Sequence, residues 1–367
     1  MSNGKVTSRQ VTSIGLEVTR SKGGMKYRRV GKSGLTVSEI GMGCVAFSNF
    51  VEMPAVKAVV DCALDLGVNY FDTADSYGIG ISEEKLGAAL EGRRHKAVIA
   101  TKFSNRVDEG PNDIGTSRKH IIDACEASLK RLKTDYIDLY QVHWPDRQTP
   151  IEETLRALDD LVRAGKVRYL GVANFFAWEI CEALWTSEKY SLNKFISAQD
   201  HHSLLYREAE KQLEPFCVKH GIGMTAYFPL GGGLLTGVHK RESVAPGTRA
   251  AASPHYSAWH SQRNWDVAES LQKFADERGW ALPALALAWL LHRPATFTTI
   301  SGADKPEHLL QNIKALEIKL TPEDLDELDR LTIVDEDRSV APVYRLHRPD
   351  KVFELEPMRL ARERAQQ

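Results

Sequence analysis

The chain has 367 residues, and its 48 lysines and arginines nearly balance its 49 aspartates and glutamates, which gives a formal net charge of -1. It has no basic block of the kind that attracts nucleic acid electrostatically, so we expect a small-molecule partner and no nucleic acid. The length alone allows two or three domains, but α/β barrels with insertions use about 250 to more than 400 residues as one domain. One domain is therefore expected.

The N-terminus and the apolar runs carry no sign of export or membrane insertion. Met1–Thr7 contains no apolar signal segment, and the longest apolar run, Trp280–Leu291, is too short to cross a bilayer. Neither the pair His201-His202 nor the cysteines have the spacing of a zinc site. We expect a cytoplasmic protein without a membrane partner or a metal, and with buried, reduced thiols at Cys44, Cys62, Cys125, Cys181 and Cys217. The sequence does not indicate an oligomeric state.

The chain begins with residues 1–24, which we expect to be a mobile extension of a barrel domain over residues 25–332. Tyr27–Val30 and Leu35–Val37 flank a glycine-bounded turn, which predicts a β-hairpin. The C-terminal tail, residues 333–367, is rich in charge and proline. It either covers the rim of a pocket or is disordered, and the sequence leaves both alternatives open.

Between the hairpin and the tail, apolar β-rich runs alternate with segments of helical spacing, which is typical of a parallel sheet with crossover helices. Strands are predicted near residues 38–45, 68–73, 97–102, 135–143, 167–173, 195–199, 223–228 and 296–301. Helices are predicted over residues 53–66, 82–90, 117–132, 151–164, 176–187, 207–220, 265–278 and 306–316. Eight such units predict an α/β fold closed into a (β/α)8 TIM barrel.

Two further segments lie outside this repeat. Residues 231–264 form a long insertion after the seventh strand, and their glycines and prolines indicate a functional lid. Thr321–Leu331 begins with a hydroxyl residue followed by acids, which predicts the capped start of an extra C-terminal helix.

Side chains that handle protons lie at the ends of three consecutive predicted strands: Asp72 and Tyr77 after one, then Lys102 and His143. The C-terminal ends of barrel strands meet on one face, so we expect these four residues to form one catalytic site. An ammonium lowers the pKa of a nearby tyrosine, a carboxylate keeps a lysine charged, and a histidine can orient a carbonyl by a hydrogen bond. The quartet predicts Tyr77 as a proton donor tuned for carbonyl reduction.

The sequence around these residues resembles that of the aldo-keto reductases, most closely the channel β-subunit-like and bacterial branch. The similar blocks are residues 69–78 (NYFDTADSYG), 101–103, 138–146 and 165–175, in the family's order. The resemblance extends from about Tyr27 to Leu331. It implies an NAD(P)H-dependent oxidoreductase that reduces an aldehyde or ketone to an alcohol, or catalyses the reverse. It also implies that the N-terminal hairpin closes the bottom of the barrel.

No Gly-x-Gly-x-x-Gly motif follows a predicted strand, so a Rossmann site is not expected. By resemblance, Asn174 and Gln199 would hold the carboxamide of a nicotinamide, and Tyr227 would stack on its ring. The pyrophosphate would lie against Pro229, Leu230, Gly231, Gly233 and Leu235. The adenosine end would lie against Ser301, Gly302, Ala303, Asp304, Lys305, His308, Gln311 and Asn312.

The expected cofactor is NADPH (NADP), with NAD as the alternative. Lys305 can give one positive charge to a 2′-phosphate, whereas His308 stands where the family often has an arginine, and Asp304 repels a phosphate. The sequence therefore predicts a weak preference for the phosphorylated form.

Three aromatic residues, Phe47, Phe103 and Trp144, are either ordinary packing or the apolar wall of a substrate pocket, and both interpretations stay open. Two alternative functions also stay open. One is a channel-type regulatory subunit that retains a nicotinamide cofactor. The other is a barrel aldolase in which Lys102 forms a Schiff base with the substrate.

Overall fold

A short antiparallel sheet begins the fold in the computed structural model, which describes residues 19–20, 24–252, 254–257 and 259–333. Its strands are β1 (Thr19–Arg20), β2 (Lys26–Arg29) and β3 (Thr36–Ser38). The hairpin between β2 and β3 is the predicted one. The strand β1 pairs with β2, so Thr19 and Arg20 join this sheet. The other residues of the predicted N-terminal extension before Gly24, and the tail after Ile333, lie outside the described residues.

Eight parallel strands then close into a barrel, in chain order around the ring. They are β4 (Ile40–Gly43), β5 (Tyr70–Asp72), β6 (Val98–Phe103), β7 (Ile137–Val142), β8 (Val167–Ala173), β9 (Phe195–His201), β10 (Gly223–Tyr227) and β11 (Thr296–Gly302). The last strand closes the ring by pairing with the first, Thr299 beside Ile40. The predicted (β/α)8 TIM barrel is confirmed.

Helices cover the outside of the barrel. The crossover helices are α1 (Met53–Asp65), α2 (Ile81–Ala89), α3 (Arg118–Leu132), α4 (Ile151–Arg163), α5 (Ala177–Tyr190) and α6 (Leu213–His220). After β10 come α7 (Arg249–Ala252), α8 (Pro254–Ser257), α9 (Gln262–Asp276) and α10 (Leu282–Leu291), and after β11 come α11 (Pro306–Ile313) and α12 (Pro322–Thr332). The extra helix α12, which packs on α9, is the one predicted from Thr321.

The crossover between β10 and β11 differs from the prediction, which gave it one helix. It contains α9 and also α10, whose residues are almost all buried. A helix that is apolar on every side has no amphipathic period, and Pro283 stands in its first turn, where proline is tolerated. The hydrophobic pattern therefore did not reveal α10. None of the helices within the described ranges is long and apolar enough to span a membrane.

The hairpin plugs the N-terminal end of the barrel. Val30 and Val37 form one buried cluster with Tyr70, the first residue of β5, and Phe297, the second residue of β11. Gly31 has a φ of +57°, and a Cβ there would lie 2.3 Å from the carbonyl oxygen of Gly221. Only glycine allows this close approach of two backbones. A closed bottom leaves the opposite end, where the strands terminate, as the open face of the barrel.

The cysteines agree in part with the expectation of buried thiols. All five are free, and Cys44, Cys125 and Cys217 are buried, but Cys62 in α1 and Cys181 in α5 are partly exposed.

Candidate active site

Four residues predicted from sequence lie together at the C-terminal face of the barrel. Asp72 ends β5, Lys102 lies in β6, His143 follows β7, and Tyr77 lies in the loop between β5 and α2. Lys102 is completely buried. Its Nζ donates hydrogen bonds to Asp72 Oδ1 at 2.5 Å, to the Thr73 carbonyl at 2.8 Å and to Tyr77 Oη at 3.4 Å. The ammonium therefore connects the carboxylate with the phenol.

The ionisation of this cluster differs from the prediction in one respect. Burial raises the pKa of Tyr77 to about 12, and this effect exceeds the opposing effect of the Lys102 ammonium. The expected lowering of the tyrosine pKa is therefore wrong for this structure. Burial alone would lower the pKa of Lys102, but Asp72 and Tyr77 raise it above its ordinary value. Near neutral pH the cluster holds a neutral phenol and a charged ammonium.

His143 lies beside the phenol, with ring centroids of Tyr77 and His143 5.8 Å apart. Burial and the Lys102 charge lower its pKa well below the ordinary value, so its imidazole is neutral. Its Nδ1 lies 3.1 Å from Nδ2 of Asn105, a residue that the sequence did not single out. Asn105 follows β6 by two residues and belongs to no recognisable motif.

Behind the Tyr77 loop lies a second buried ionic cluster. Glu83 accepts hydrogen bonds from Arg131 Nε at 2.6 Å and from Thr101 Oγ1 at 2.5 Å. Asp75 is buried next to this pair, and burial followed by the Glu83 charge raises its pKa well above the usual range. Asp75 thus belongs to the support of the loop and not to the Lys102 cluster.

The residues predicted for a nicotinamide lie on the next strands around the ring. Asn174, at the end of β8, has a left-handed φ of +62° and is buried. Its Nδ2 donates to the carbonyl of His143, and its Oδ1 accepts from the Tyr227 hydroxyl, both at 2.8 Å. His201 stacks near Tyr227 at a centroid distance of 5.4 Å and an angle of 23°. A ligand amide at Asn174 would therefore have to exchange with the Tyr227 hydroxyl.

The predicted pyrophosphate segment, which includes Pro229, Leu230 and Leu235, is a turn with unusual backbone geometry. Gly231, Gly232 and Gly233 have φ values of +57°, +66° and +101°. Successive amides in such conformations can point toward one concavity, the arrangement that binds anions in many proteins. Across this turn, the guanidinium of Arg249 from α7 covers Gly302, where an added Cβ would lie 2.9 Å from Nη2. Arg249 lies within residues 231–264, which the sequence predicted as a lid.

The predicted adenosine end lies at the end of β11 and the start of α11. Ser301 Oγ accepts a hydrogen bond from Asn312 Nδ2 at 2.6 Å, and Ala303 is completely buried. Asp304 Oδ1 is buried without a hydrogen-bond partner in the described part of the chain, which leaves an acceptor available to a ligand. Lys305 and Gln311 are exposed, and Gly302 and His308 are partly buried.

Comparisons with known proteins show the family of this chain. The sequence model of the aldo/keto reductase family matches residues 39–333. This chain belongs to the aldo/keto reductase family. It is 36% identical over 317 residues to a probable voltage-gated potassium channel subunit beta of Arabidopsis thaliana, covering 84% of this chain and 96% of that protein. It is 32% identical over 332 residues to versiconal hemiacetal acetate reductase of Aspergillus parasiticus, covering 83% and 96%. An uncharacterized oxidoreductase of Bacillus subtilis is 37% identical over 313 residues, covering 82% and 93%.

The aromatic residues predicted as a substrate wall are placed differently from one another. Phe103 is completely buried and stacks on Tyr140 at 4.7 Å, and Phe47 is completely buried in the main hydrophobic core. Both are packing residues of this aldo/keto reductase, because their rings belong to the hydrophobic core that the barrel strands form with the surrounding helices. Only Trp144 is partly exposed. Within the described ranges, no three His, Cys, Asp or Glu side chains form a group that could hold a metal.

Proposed function

We propose that this aldo/keto reductase reduces an aldehyde or ketone to an alcohol, or oxidises the alcohol in reverse, with a nicotinamide dinucleotide as cofactor. The observation that supports this reaction is the buried cluster in which Lys102 Nζ lies 2.5 Å from Asp72 and 3.4 Å from Tyr77 Oη. A bound nicotinamide would supply the hydride or accept it. The protein's own residues would bind the substrate oxygen and move the proton.

In the reducing direction, Tyr77 donates its phenolic proton to the carbonyl oxygen, which becomes the alcohol oxygen. The raised pKa keeps the donor protonated at neutral pH. Lys102 stabilises the phenolate that the transfer leaves behind, because its ammonium is fixed beside Tyr77 Oη in surroundings of low polarity. Asp72 keeps that ammonium charged and in place. His143 is neutral and can hydrogen-bond to the same carbonyl oxygen.

Several features of the structure fit a nicotinamide dinucleotide. The three consecutive positive-φ glycines offer backbone amides, Arg249 supplies a positive charge beside Gly302, and Asp304 offers a free acceptor. We propose that Asn174, Gln199 and Tyr227 hold the nicotinamide, that the glycine turn and Arg249 hold the phosphates, and that the α11 end holds the adenosine. We propose NADPH as the preferred form, with NADH accepted.

The decisive experiment compares two tyrosine variants. Tyr77→Phe removes the proposed proton donor and keeps the ring, so we expect carbonyl reduction to fall by at least ~100-fold while cofactor affinity changes little. Tyr140→Phe is the matched control, because Tyr140 is also buried but its hydroxyl has no hydrogen-bond partner among the described residues. Rates follow from nicotinamide absorbance with a panel of aldehydes, sugars and cyclic ketones. Near-normal reduction by Tyr77→Phe would refute the assignment.

A second candidate function is binding to a membrane channel, which one relative's name suggests for that relative. Co-purification of the chain with a channel protein, together with unmeasurable reduction across the substrate panel, would favour it.

A Schiff-base aldolase is not supported, since a nucleophilic amine must be neutral and the pKa of Lys102 is raised by its partners. Borohydride should therefore trap no substrate on Lys102.

A further inference from the structure

The loop after β6 brings the side-chain amide of Asn105 to Nδ1 of His143. Asn105 is 1% exposed, and its Nδ2 lies 3.1 Å from His143 Nδ1 and donates to Ser76 Oγ at 3.1 Å. Ser76 immediately precedes Tyr77. Asn105 Nδ2 thus connects the loop that carries Tyr77, the proposed proton donor, with His143, the residue proposed to orient the carbonyl.

The backbone holds this arrangement in place from both sides. The His143 amide donates to the carbonyl of Phe103 at 2.8 Å. Ser104 Oγ accepts from the Trp144 amide at 2.9 Å and donates to the Trp144 carbonyl at 3.0 Å. Ser104 also has a φ of +100°, an unusual conformation for a residue with a side chain. The loops after β6 and β7 are therefore tied together next to Asn105 and His143.

The orientation of the Asn105 amide follows from hydrogen-bond satisfaction. With Nδ2 toward Ser76 and His143, the buried Oδ1 is the part of the side chain left without a partner among the described residues. Reversing the amide would put two N–H donors in that position, and unsatisfied buried donors and acceptors each cost free energy. The observed orientation leaves the fewer unsatisfied groups.

We propose that Asn105 is a positioning residue that fixes the tautomer of His143. An amide nitrogen only donates, so Nδ1 of His143 must accept and the proton of the neutral ring must be on Nε2. The ring then offers an N–H to a substrate carbonyl oxygen and cannot act there as a base. This inference rests on the proposed carbonyl reduction for its purpose, but the tautomer itself does not depend on it.

Substituting Asp for Asn105 reverses the hydrogen bond, because a carboxylate only accepts. Nδ1 then carries the proton, and Nε2 presents a lone pair to the substrate until the ring becomes doubly protonated. The titratable groups of the described chain that face His143 are Lys102 from β6 and Tyr77 from the β5–α2 loop. From β8, Asn174 contacts its carbonyl and carries no charge. The added carboxylate raises the pKa of His143, so acid should restore the Nε2–H donor.

The test has a spectroscopic arm and a kinetic arm. In protein labelled with 15N-histidine, with His143→Gln to assign the signal, we expect the Nε2–H tautomer in the unchanged chain and in Ser76→Ala. Asn105→Asp should show Nδ1–H or the doubly protonated ring. Its carbonyl reduction should fall about tenfold or more near pH 8 and recover as the pH falls, with an unchanged KM for the cofactor.

An Nδ1–H tautomer in the unchanged chain, or a tautomer indifferent to Asn105→Asp, would overturn the inference whatever the activity. A rate loss in Asn105→Asp that does not recover in acid would indicate a merely structural role and would also overturn it. Absence of carbonyl reduction in the unchanged chain would refute the proposed function instead, and the 15N spectra would still decide the tautomer.

Discussion

Gln199 Nε2 donates a 2.7 Å hydrogen bond to Oδ2 of Asp72, the carboxylate whose other oxygen accepts from Lys102. Gln199 comes from β9 and Asp72 from β5, so this bond crosses the barrel between strands that are not neighbours. The residue predicted for the nicotinamide carboxamide thus also holds the carboxylate of the proton-transfer cluster. Its side-chain nitrogen is therefore already engaged by Asp72.

We expect Gln199→Leu to affect both stability and cofactor binding. Asp72 Oδ2 would lose its short hydrogen bond inside the barrel, which should lower the free energy of unfolding by about 1–3 kcal/mol. Gln141→Leu is the matched control, because Gln141 donates to the same oxygen over a longer distance of 3.4 Å. Urea unfolding and fluorescence titration with NADPH separate the two effects. Unchanged NADPH affinity in Gln199→Leu would remove this residue from the proposed cofactor site.

Lys102→Met should slow both alcohol oxidation and carbonyl reduction, and it should move the pH profile of oxidation. Oxidation requires Tyr77 to accept a proton as phenolate, and with a pKa of about 12 its phenolate fraction rises as pH rises toward that value. Removing the ammonium raises the pKa further, so the pH profile of oxidation should move to higher pH and its rate should fall by ~100-fold or more. Reduction starts from the protonated phenol, which is present in both proteins, but in Lys102→Met it loses the ammonium that stabilises the phenolate left behind. Identical pH profiles of oxidation would mean that Lys102 does not tune Tyr77.

The fold was predictable from sequence because its strands and helices are short, regular and separated by turns. The strand over residues 167–173 agrees with β8 to the residue, and the Thr321 cap of α12 is present as a capping box. Where the prediction differed, tertiary packing decided the outcome. The helix predicted from residue 82 begins at Ile81 after Gly80, and Ser82 in its first turn donates to the carbonyl of Cys44.

Only the part of the candidate site that lies at strand ends was predictable, because there the residue types themselves indicate the chemistry. The meeting of Asp72 with Lys102 follows from adjacent parallel strands. Asn105 and Arg249 could not be found in this way, because their contacts depend on loop conformations that have no sequence signature here. The pKa of Tyr77 was mispredicted because the sequence shows the neighbouring charge but not the depth of burial.

Asp304→Asn should strengthen NADPH binding by about 3- to 10-fold, or about 0.7–1.4 kcal/mol, and leave NADH nearly unchanged. The substitution removes a charge that would repel a 2′-phosphate and preserves the side-chain shape. His308→Arg should act in the same direction by adding a fixed charge.

Glu317→Gln removes the same charge at the far end of the α11 region, where it is exposed, and serves as the control for the titrations of both cofactors. Tighter binding of NADH than NADPH by the unchanged chain would overturn the preference and make Asp304 an acceptor for ribose hydroxyls.

A partly buried ionic network joins the loop after β9 to the C-terminal helices. Glu210 accepts two hydrogen bonds from Arg207, at 2.6 and 2.5 Å, and lies 3.2 Å from Arg293. Arg207 also pairs with Asp329 of α12 at 2.6 Å. The buried ring of Trp289 lies within cation–π distance of both arginines, at 5.1 and 5.5 Å. Arg207 therefore fastens α12 to the barrel, and Glu210 is the anion that it shares with Arg293.

Glu210→Gln should destabilise the protein by about 2–4 kcal/mol, because two partly buried guanidinium groups lose their shared counter-ion. Burial opposes ionisation of Glu210, but His202, Arg207 and Arg293 lower its pKa from the ordinary 4.5 to about 2. Its stabilising contribution is thus complete above pH 4.5 and is lost as the pH falls toward 2. The difference in unfolding free energy between the unchanged chain and Glu210→Gln, measured in urea, should shrink over that interval.

Glu208→Gln, which removes a more exposed partner of Lys211, is the control and should change stability by less than about 0.5 kcal/mol at any of these pH values. A Glu210→Gln effect that is equally small, or that does not decline in acid, would contradict the role assigned to this carboxylate.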